Sequence, residues 1–495
     1  VCGIIGISGD HDVSLELYYG LLALQHRGQS AVGIITYDGN IYPEKEAGLV
    51  TQLIRKYEEN EKFIDDHPGH IGIGHTRYST FGSDDPKEIK RNAQPEYLVN
   101  PFVAACHNGN IYNGAELFSQ FNRTPRTDCD IQFLLLLMAQ ALPPYPRIDF
   151  DHIVSASEGI LSKLKGSYSA LFLTAGKSNP YLVAMTDPYK IRPLVMGQRN
   201  GSWYITSESM ALKHLGVKEF TDIDSGSIVA VSHGDDKPEI KKVVKKKKHL
   251  CMFEYVYFAD PVSWIEGISV HNARVALGRA LAKEHGVKAD IVVPVPESGR
   301  RYAIGYSHES GVPIEEGLKK NKKERAFIMQ TQRLRDDMAE QGLSAVDAAL
   351  DGKDVVVTDD SLIRGTNIKR VVRKIREAGA KKVHIRIGCP PIVAPCYLGI
   401  DMRSKKEFIA VDDKTNEHRT WEDIAAEIGA DSLAYSSIQT LKREIKAGSE
   451  DFELCTGCID FPSGYPPEMQ DDVKRLAKSD VGDGRAYEAC GSKRD

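Results

Sequence analysis

A cysteine stands second in the chain, at the head of the apolar stretch CGIIGI, and two readings compete for it. As a small apolar residue, Cys2 would begin a buried strand. As the first residue of a trimmed chain, after removal of Val1, it would carry a thiol and a free amine together. A thiol with a pKa of about 8.5 is mostly protonated at neutral pH and needs a base before it can attack. An α-amino group, titrating at about 7.7–8.0, is matched to that task. The device works only at a true N-terminus, so Val1 must leave, as a start residue or as the remnant of a pro-sequence.

Further along, the chain offers partners for an amide substrate. LQHRGQSAVG supplies Arg27, and GHTRYST supplies Arg77, whose planar fork suits an amino acid carboxylate. CHNGNIYN supplies the side-chain amide of Asn108 and the backbone N–H of Gly109, two donors for a tetrahedral oxyanion. RTDCD supplies Asp128, a counter-charge for an α-ammonium. Singly each has a plainer reading, Arg77 as a surface ion pair and Asn108-Gly109 as a hairpin turn.

A second chemistry lies in DVVVTDDSLIRGTNIKRVVRKIREAG. A strand over Val355–Thr358 ends in Asp359 and Asp360, a loop follows, and a helix begins near Asn367. Ligands of open α/β sheets bind beyond the carboxyl ends of strands. A loop entering a helix offers backbone N–H groups and a positive dipole end to a phosphate. Ser361, Gly365 and Thr366 suit the phosphate, and the two acids suit vicinal ribose hydroxyls or hydrated Mg²⁺. VVPVPESGR is a second strand-to-loop element, with Glu297, Ser298 and Gly299 at its turn. A third pattern is CTGC, holding Cys455 and Cys458. With Cys251 and Cys396 it can build a tetrahedral zinc site or a cubane cluster, and spacing alone does not choose.

These groups need scaffolds. Residues 1 to about 235 are rich in short apolar runs bounded by Gly, Asn and Asp, interrupted by the helical stretches SLELYYGLLALQHRG and DIQFLLLLMAQAL. A strand core with helices outside is predicted. Beyond the charged stretch His233–His249, strands alternate with helices in a doubly wound parallel pattern. From Gly464 the chain turns polar and reads as a helix and a tail.

The chain has 495 residues with 64 Lys plus Arg against 69 Asp plus Glu, a net charge of -5. That balance argues against nucleic acid or an anionic membrane as the partner. The basic run KKVVKKKKH reads as a solvated linker. No secretion signal is apparent, and FLLLLMA is too short to span a bilayer, so a cytoplasmic protein is expected. Nine cysteines, an odd number at wide spacing, argue against a disulfide framework.

DDSLIRGT and VVPVPESGR resemble the fingerprint and pyrophosphate loop of type I phosphoribosyltransferases, which use phosphoribosyl pyrophosphate (PRPP). CGIIGI, LQHRGQSAVG, GHTRYST, HNGNIYN and TDCD, in this order, resemble the glutaminase domain of N-terminal-nucleophile amidotransferases. Together, over nearly the full length, the chain is similar to the amidophosphoribosyltransferase family. The resemblance implies an α/β protein of two domains: an N-terminal-nucleophile αββα sandwich over residues 2–235 and a parallel-sheet phosphoribosyltransferase domain over 250–463, with a polar tail over 464–495. It implies Cys2 as nucleophile, with Arg27, Arg77 and Asp128 on glutamine and Asn108 and Gly109 as oxyanion hole. It implies PRPP on Glu297, Ser298, Gly299, Lys320, Asp359, Asp360, Ser361, Arg364, Gly365 and Thr366, with Mg²⁺ at Ser298, Asp359 and Asp360. One branch of the family carries a [4Fe–4S] cluster, which falls here on Cys251, Cys396, Cys455 and Cys458. Purine nucleotides as inhibitors and a homo-oligomer, dimer or tetramer, are implied as well.

The departures fall in the second block. Where the family reads FARPDS this chain has FADPVS, so Asp260 replaces an arginine. KKNKKERAF stands for KNRYVGRTF, keeping Lys320 and Asn321 but placing Lys323 at a tyrosine. AEQGLS (Ala339–Ser344) lacks two basic residues. Lys320, Lys322, Lys323 and Arg325 can re-supply the charge. A second reading follows: a relative that hydrolyses glutamine but binds a regulator or another acceptor in its second domain.

Overall fold

In the computed structural model the short apolar runs of the first half become two antiparallel sheets. The structure describes residues 1–480 apart from 56, 58–59, 79–84, 115, 118–126, 128, 145–146, 176–178, 233, 322–341, 403 and 413–414. The strands are β1 (Gly3–Ser8), β2 (Ala31–Tyr37), β3 (Ile41–Ala47), β4 (Ile71–Arg77), β5 (Glu96–Leu98), β6 (Val103–Ile111), β7 (Gly166–Thr174), β8 (Tyr181–Thr186), β9 (Val195–Arg199), β10 (Ser202–Thr206), β11 (Phe220–Asp222), β12 (Ser227–Ser232) and β13 (Glu239–Lys242). One sheet is ordered β11-β9-β10-β1-β4-β2-β3 and the other β13-β12-β8-β7-β6-β5.

β1 is apolar up to Ser8 because both its faces are buried. Ile4 points at the second sheet, against Ile73, Cys106, Leu171 and Leu182. Ile5 and Ile7 point the other way, at helices α1 (Ser14–Ala23) and, later in the chain, Ser209–His214. The far face of the second sheet is covered by α2 (Ile131–Ala141) and α3 (Phe150–Lys163). Calling Ser209–His214 α4, the layers are helix, sheet, sheet, helix.

The basic run is not a bare linker. β13 pairs with β12 and carries the sandwich to Lys242, past residue 235. Val243 and Val244 then both donate to the Gly226 carbonyl, at 2.9 and 3.1 Å. Lys246, Lys247 and Lys248 pair with Glu468, Glu453 and Glu266, the last of these pairs largely buried and the other two solvent-exposed.

The second half holds β14 (Lys248–Cys251), a hairpin β15 (Trp264–Ile265) and β16 (Ile268–Ser269), β17 (Ile291–Pro294), a hairpin β18 (Leu318–Lys320) and β19 (Leu343–Ala345), β20 (Asp354–Asp359), β21 (Lys382–Ile387), β22 (Ser432–Tyr435) and β23 (Phe452–Cys455). β17-β20-β21-β22 form a parallel sheet. Around it lie α5 (Val270–His285), α6 (Arg300–Ser310), α7 (Thr366–Glu377), α8 (Trp421–Ile428) and α9 (Ile438–Lys446). α7 buries Ile368, Val371, Val372 and Ile375, one stripe at helical spacing, against the core. β14 and β23 make a separate parallel pair.

The helix expected after Gly464 forms and docks on the sandwich. α10 (Gln470–Ser479) buries Val473, and Asp472 accepts from Tyr112 Oη at 3.3 Å and from Lys165 Nζ at 3.0 Å in the sandwich. Residues 481–495, with Cys490, lie outside the described residues. Among the described residues no helix is long and apolar enough to cross a membrane.

Candidate active sites

Cys2 enters β1 held on both sides. Its backbone N–H donates to Asn108 Oδ1 at 3.2 Å, and its carbonyl accepts from Arg27 Nε at 2.9 Å. Asn108 is buried, and its Nδ2 has no partner among the described residues. A buried amide donor left unpaired is costly and marks a place built for an acceptor that comes and goes. Gly109 follows at φ 155°, and a Cβ there would lie 1.9 Å from the Ser167 carbonyl oxygen, so only glycine fits.

Arg77 ends β4 with little of its surface exposed. Asp128 lies outside the described residues, but its neighbours are tied to β6. Asp130 accepts from Ile111 N at 2.9 Å and lies 3.2 Å from His107 Nε2. Gln94 donates to Cys129 Sγ at 3.2 Å and accepts the His107 N–H at 2.8 Å. Burial works against charge on both His107 and Asp130, yet each outweighs it for the other: His107 is raised and Asp130 lowered. The raised His107 contributes stability that is complete below the ordinary 6.5 and lost as pH climbs through its folded value. The lowered Asp130 contributes stability present above 3.8 and lost as pH falls through its folded value. Thermal unfolding is therefore expected to show an alkaline decline above pH 6.5 that His107→Gln flattens.

Arg27 has a different place from the one expected. It is fully buried, and Nη1 donates to Glu208 Oε1 at 2.5 Å and to Glu254 Oε2 at 2.9 Å, while Nη2 donates to Glu254 Oε1 at 2.8 Å. Its fork is engaged within the protein, so it positions Cys2 rather than facing a glutamine. Glu254 belongs to the second half, in a π-helical turn over Glu254–Phe258, so this ion pair joins the two domains beneath the nucleophile. Against a burial penalty that would raise it, His26 and Arg27 hold Glu208 far below the usual carboxylate range. Its other oxygen accepts the Asp260 N–H and the Ser263 hydroxyl, both at 2.8 Å. The side chain of Asp260 accepts from Val262 N at 2.8 Å and caps that turn. Arg27→Met strands two buried carboxylates and should cost about 3–5 kcal/mol of stability, read as a fall in melting temperature.

The ribose-phosphate residues gather at the carboxyl end of the parallel sheet. Ser298 Oγ donates to Asp359 Oδ1 at 2.7 Å and Ser361 Oγ to Asp360 Oδ2 at 2.5 Å. Burial first, then Asp360, pushes Asp359 well above the ordinary carboxylate value; Asp360 is raised by burial, with Arg274 among the groups opposing. Gly299 lets the 297–299 turn lie against β20, where a Cβ would sit 2.0 Å from the Thr358 oxygen. The Pro296–Glu297 peptide is cis. Gly365, at φ 77°, caps the start of α7 immediately before Thr366. Arg364 is exposed and pairs with Glu407, and Lys320 is exposed at the end of β18. Lys322, Lys323 and Arg325 lie outside the described residues.

Two tyrosines not anticipated from the sequence lie close to these residues. Tyr257 is half exposed, yet its phenol is pushed up to about 12 by desolvation, then by Asp360, Tyr78 and Asp359. Tyr78 follows Arg77 directly. Arg274, also unanticipated, donates to the Tyr255 and Ala259 carbonyls at 2.7 and 2.8 Å and so fastens the π-helical turn to α5.

Three chain segments bring four cysteines together. Parallel pairing sets Cys251 opposite Cys455. The Cys458 carbonyl accepts from Val393 N and Ala394 N at 2.9 and 3.1 Å, and Leu398 N lies 3.4 Å from Cys396 Sγ. All four are buried and free of disulfides. Burial lifts the Cys251 thiol to about 11, with Arg192 opposing. Among the described residues no three His, Cys, Asp or Glu are grouped so as to hold a metal ion.

The chain matches the model of a glutamine amidotransferase domain over residues 75–214. It is 40% identical over 494 residues to the amidophosphoribosyltransferase of Methanocaldococcus jannaschii, covering 95% of this chain and 98% of that one. It is 38% identical to amidophosphoribosyltransferase 1, chloroplastic, of Arabidopsis thaliana, covering 98% and 82%. Among solved structures, the glutamine PRPP amidotransferase of B. subtilis complexed with ADP and GMP superposes with a TM-score of 0.81 at 34% identity, over 94% of this chain and 97% of that one. The chain belongs to the amidophosphoribosyltransferase family.

Proposed function

We propose how the residues divide the work of the family's reaction, the first step of purine synthesis, in which glutamine, PRPP and water give 5-phosphoribosylamine, pyrophosphate and glutamate. Once Val1 and anything before it are removed, the Cys2 amine sits on Asn108 Oδ1 and takes the thiol proton. The thiolate attacks the carboxamide carbon of a glutamine gripped by Arg77 and Asp128. Asn108 Nδ2 and the Gly109 N–H receive the oxyanion. Ammonia leaves with the proton, and water hydrolyses the thioester to glutamate. Ammonia then passes inside the protein, by Tyr78 and Tyr257, to the ribose C1 as pyrophosphate departs. The observation that carries this is the unpaired, buried Asn108 amide beside Cys2.

In the second site Asp359 and Asp360 hold the ribose hydroxyls, and Ser361, Gly365 and Thr366 hold the 5-phosphate at the start of α7. Glu297, Ser298, Gly299, Lys320 and Arg364 serve the pyrophosphate side. Two facing carboxylates beside Ser298 fit Mg²⁺, which would supply positive charge to the leaving pyrophosphate. Incubation with glutamine, Mg²⁺ and PRPP should release glutamate and pyrophosphate in equal amounts. Glutamate without pyrophosphate supports the second reading, a domain that binds a regulator or another acceptor. Asp260, whose carboxylate caps a turn where a cation was expected, is what favours that reading.

We assign a [4Fe–4S] cluster to Cys251, Cys396, Cys455 and Cys458. A cubane takes one thiolate per iron, so its sulfurs stand farther apart than around one ion. Four buried free thiols from three segments, two of them paired in register across β14 and β23, support the assignment. The cluster would staple β14, β23 and the 393–396 segment together. Free thiols throughout the described cysteines also suit a cytoplasmic compartment. The solved relative complexed with ADP and GMP supports purine nucleotides as inhibitors. We infer a homo-oligomer from the family.

A further inference from the structure

We propose that Arg192, a residue of the glutaminase sandwich, is the counter-cation of the four-cysteine site and sets the charge balance of the cluster held there, an inference that rests on the [4Fe–4S] assignment above. Arg192 is fully buried. The residue before it, Ile191, accepts the Cys251 N–H at 3.1 Å. Its Nη2 donates to the Leu398 carbonyl at 2.5 Å, and the Leu398 N–H is the one beside Cys396 Sγ. The guanidinium is thus lodged between the strand carrying Cys251 and the loop carrying Cys396.

Its charge is only loosely matched by protein groups. Nη1 reaches Glu254 Oε1 at 3.4 Å, but both Glu254 oxygens already receive the Arg27 fork at 2.8 and 2.9 Å. The Arg192 Nε–H has no partner among the described residues. Buried guanidinium donors are rarely left so, and the groups that favour its charge are the Cys251 and Cys396 thiols together with Glu254. A cluster of core charge +2 on four thiolates is a buried dianion, and an anion out of water needs a cation close by. Hydrogen bonds to the sulfurs, net charge and burial are the means by which a protein tunes such a cluster. A cation beside it favours the reduced form, which carries one more negative charge, and disfavours loss of an electron to an oxidant. Glu254 extends the consequence, since it links Arg192 to Arg27 and so to the Cys2 carbonyl.

The test uses full-length protein purified without oxygen, with iron and sulfide content, midpoint potential and rate of bleaching in air as readouts. Arg192→Gln should lower the midpoint potential and speed bleaching, whereas Arg192→Lys, keeping the charge, stays near the parent. Glu254→Gln removes a negative charge and should shift the potential upward, the opposite direction. That opposite shift decides the matter if Arg192→Gln does not fold. Full iron content in Arg192→Gln with unchanged potential and bleaching overturns the proposal. So does a downward shift in Glu254→Gln, which would mark a packing effect. Parent protein without iron and sulfide overturns the cluster assignment itself, and this inference with it.

Discussion

Cys2→Ala abolishes glutamine use, by at least about 10⁴-fold, and leaves synthesis from ammonia intact. The reasoning is local. The substitution removes one sulfur at the head of β1 and keeps the backbone N–H and carbonyl that Asn108 and Arg27 hold, so the fold has no reason to change. What remains for glutamine is the oxyanion donors and water, which without a nucleophile give only residual hydrolysis. Asn108→Ala is the graded companion. It removes one oxyanion donor, and kcat for glutamine should fall by about 10²–10³ with KM moving much less. Both variants should make phosphoribosylamine from ammonium salts at the parent rate, because the ribose phosphate site is on another sheet. Loss of the ammonia reaction in Cys2→Ala would show that Cys2 is structural. Mass spectrometry adds an independent check: glutaminase activity in protein that still carries Val1 would remove the amine from the mechanism.

The parts of this enzyme that were legible in its sequence are those whose chemistry is contiguous. CGIIGI declares a strand buried on two faces, and HNG puts Asn108 and Gly109 side by side on β6, in the facing sheet. DDSLIRGT places acids, hydroxyls and a helix start within one loop, and the structure sets them there. What stayed hidden is what long-range packing creates. Arg27 was expected to meet a substrate because its partners, Glu208 and Glu254, lie 181 and 227 residues away. No spacing rule links three such positions. α3 escaped because FDHIVSASEGILSK dilutes its apolar stripe with exposed polar residues, though Ile153, Ala156, Ile160 and Leu161 are buried. β13 escaped because its lysines and Glu239 read as linker, whereas an edge strand tolerates charge on its open side. Asp260 stood out in the sequence as an acid in place of an arginine, but its bonding did not: its backbone N–H donates to Glu208, 52 residues away, and its carboxylate accepts from Val262 N.

Asp359→Asn/Asp360→Asn is expected to lower kcat/KM for PRPP by about 10²–10⁴-fold, whichever nitrogen source is supplied. Each carboxylate would accept charge-assisted hydrogen bonds from ribose hydroxyls, contributing about 1.5–3 kcal/mol, and the pair therefore about 3–6 kcal/mol. An asparagine amide keeps the size but halves the acceptor capacity and removes the charge that would draw Mg²⁺. Glutamate release measured without PRPP should be unchanged, since Cys2 and its partners are untouched. The empty protein supplies a second signature. The two carboxylates are crowded in a buried turn, and burial together with their mutual repulsion lifts Asp359 well above its ordinary value. A group so raised destabilises the folded state as pH climbs past the ordinary 3.8, because the chain must release a proton into an unfavourable site. In metal-free buffer at neutral pH the single variant Asp359→Asn should therefore melt at or above the parent temperature while binding PRPP worse. A residue that merely held the loop together would move both quantities down. Opposite signs identify carboxylates kept facing each other for a ligand rather than for the fold.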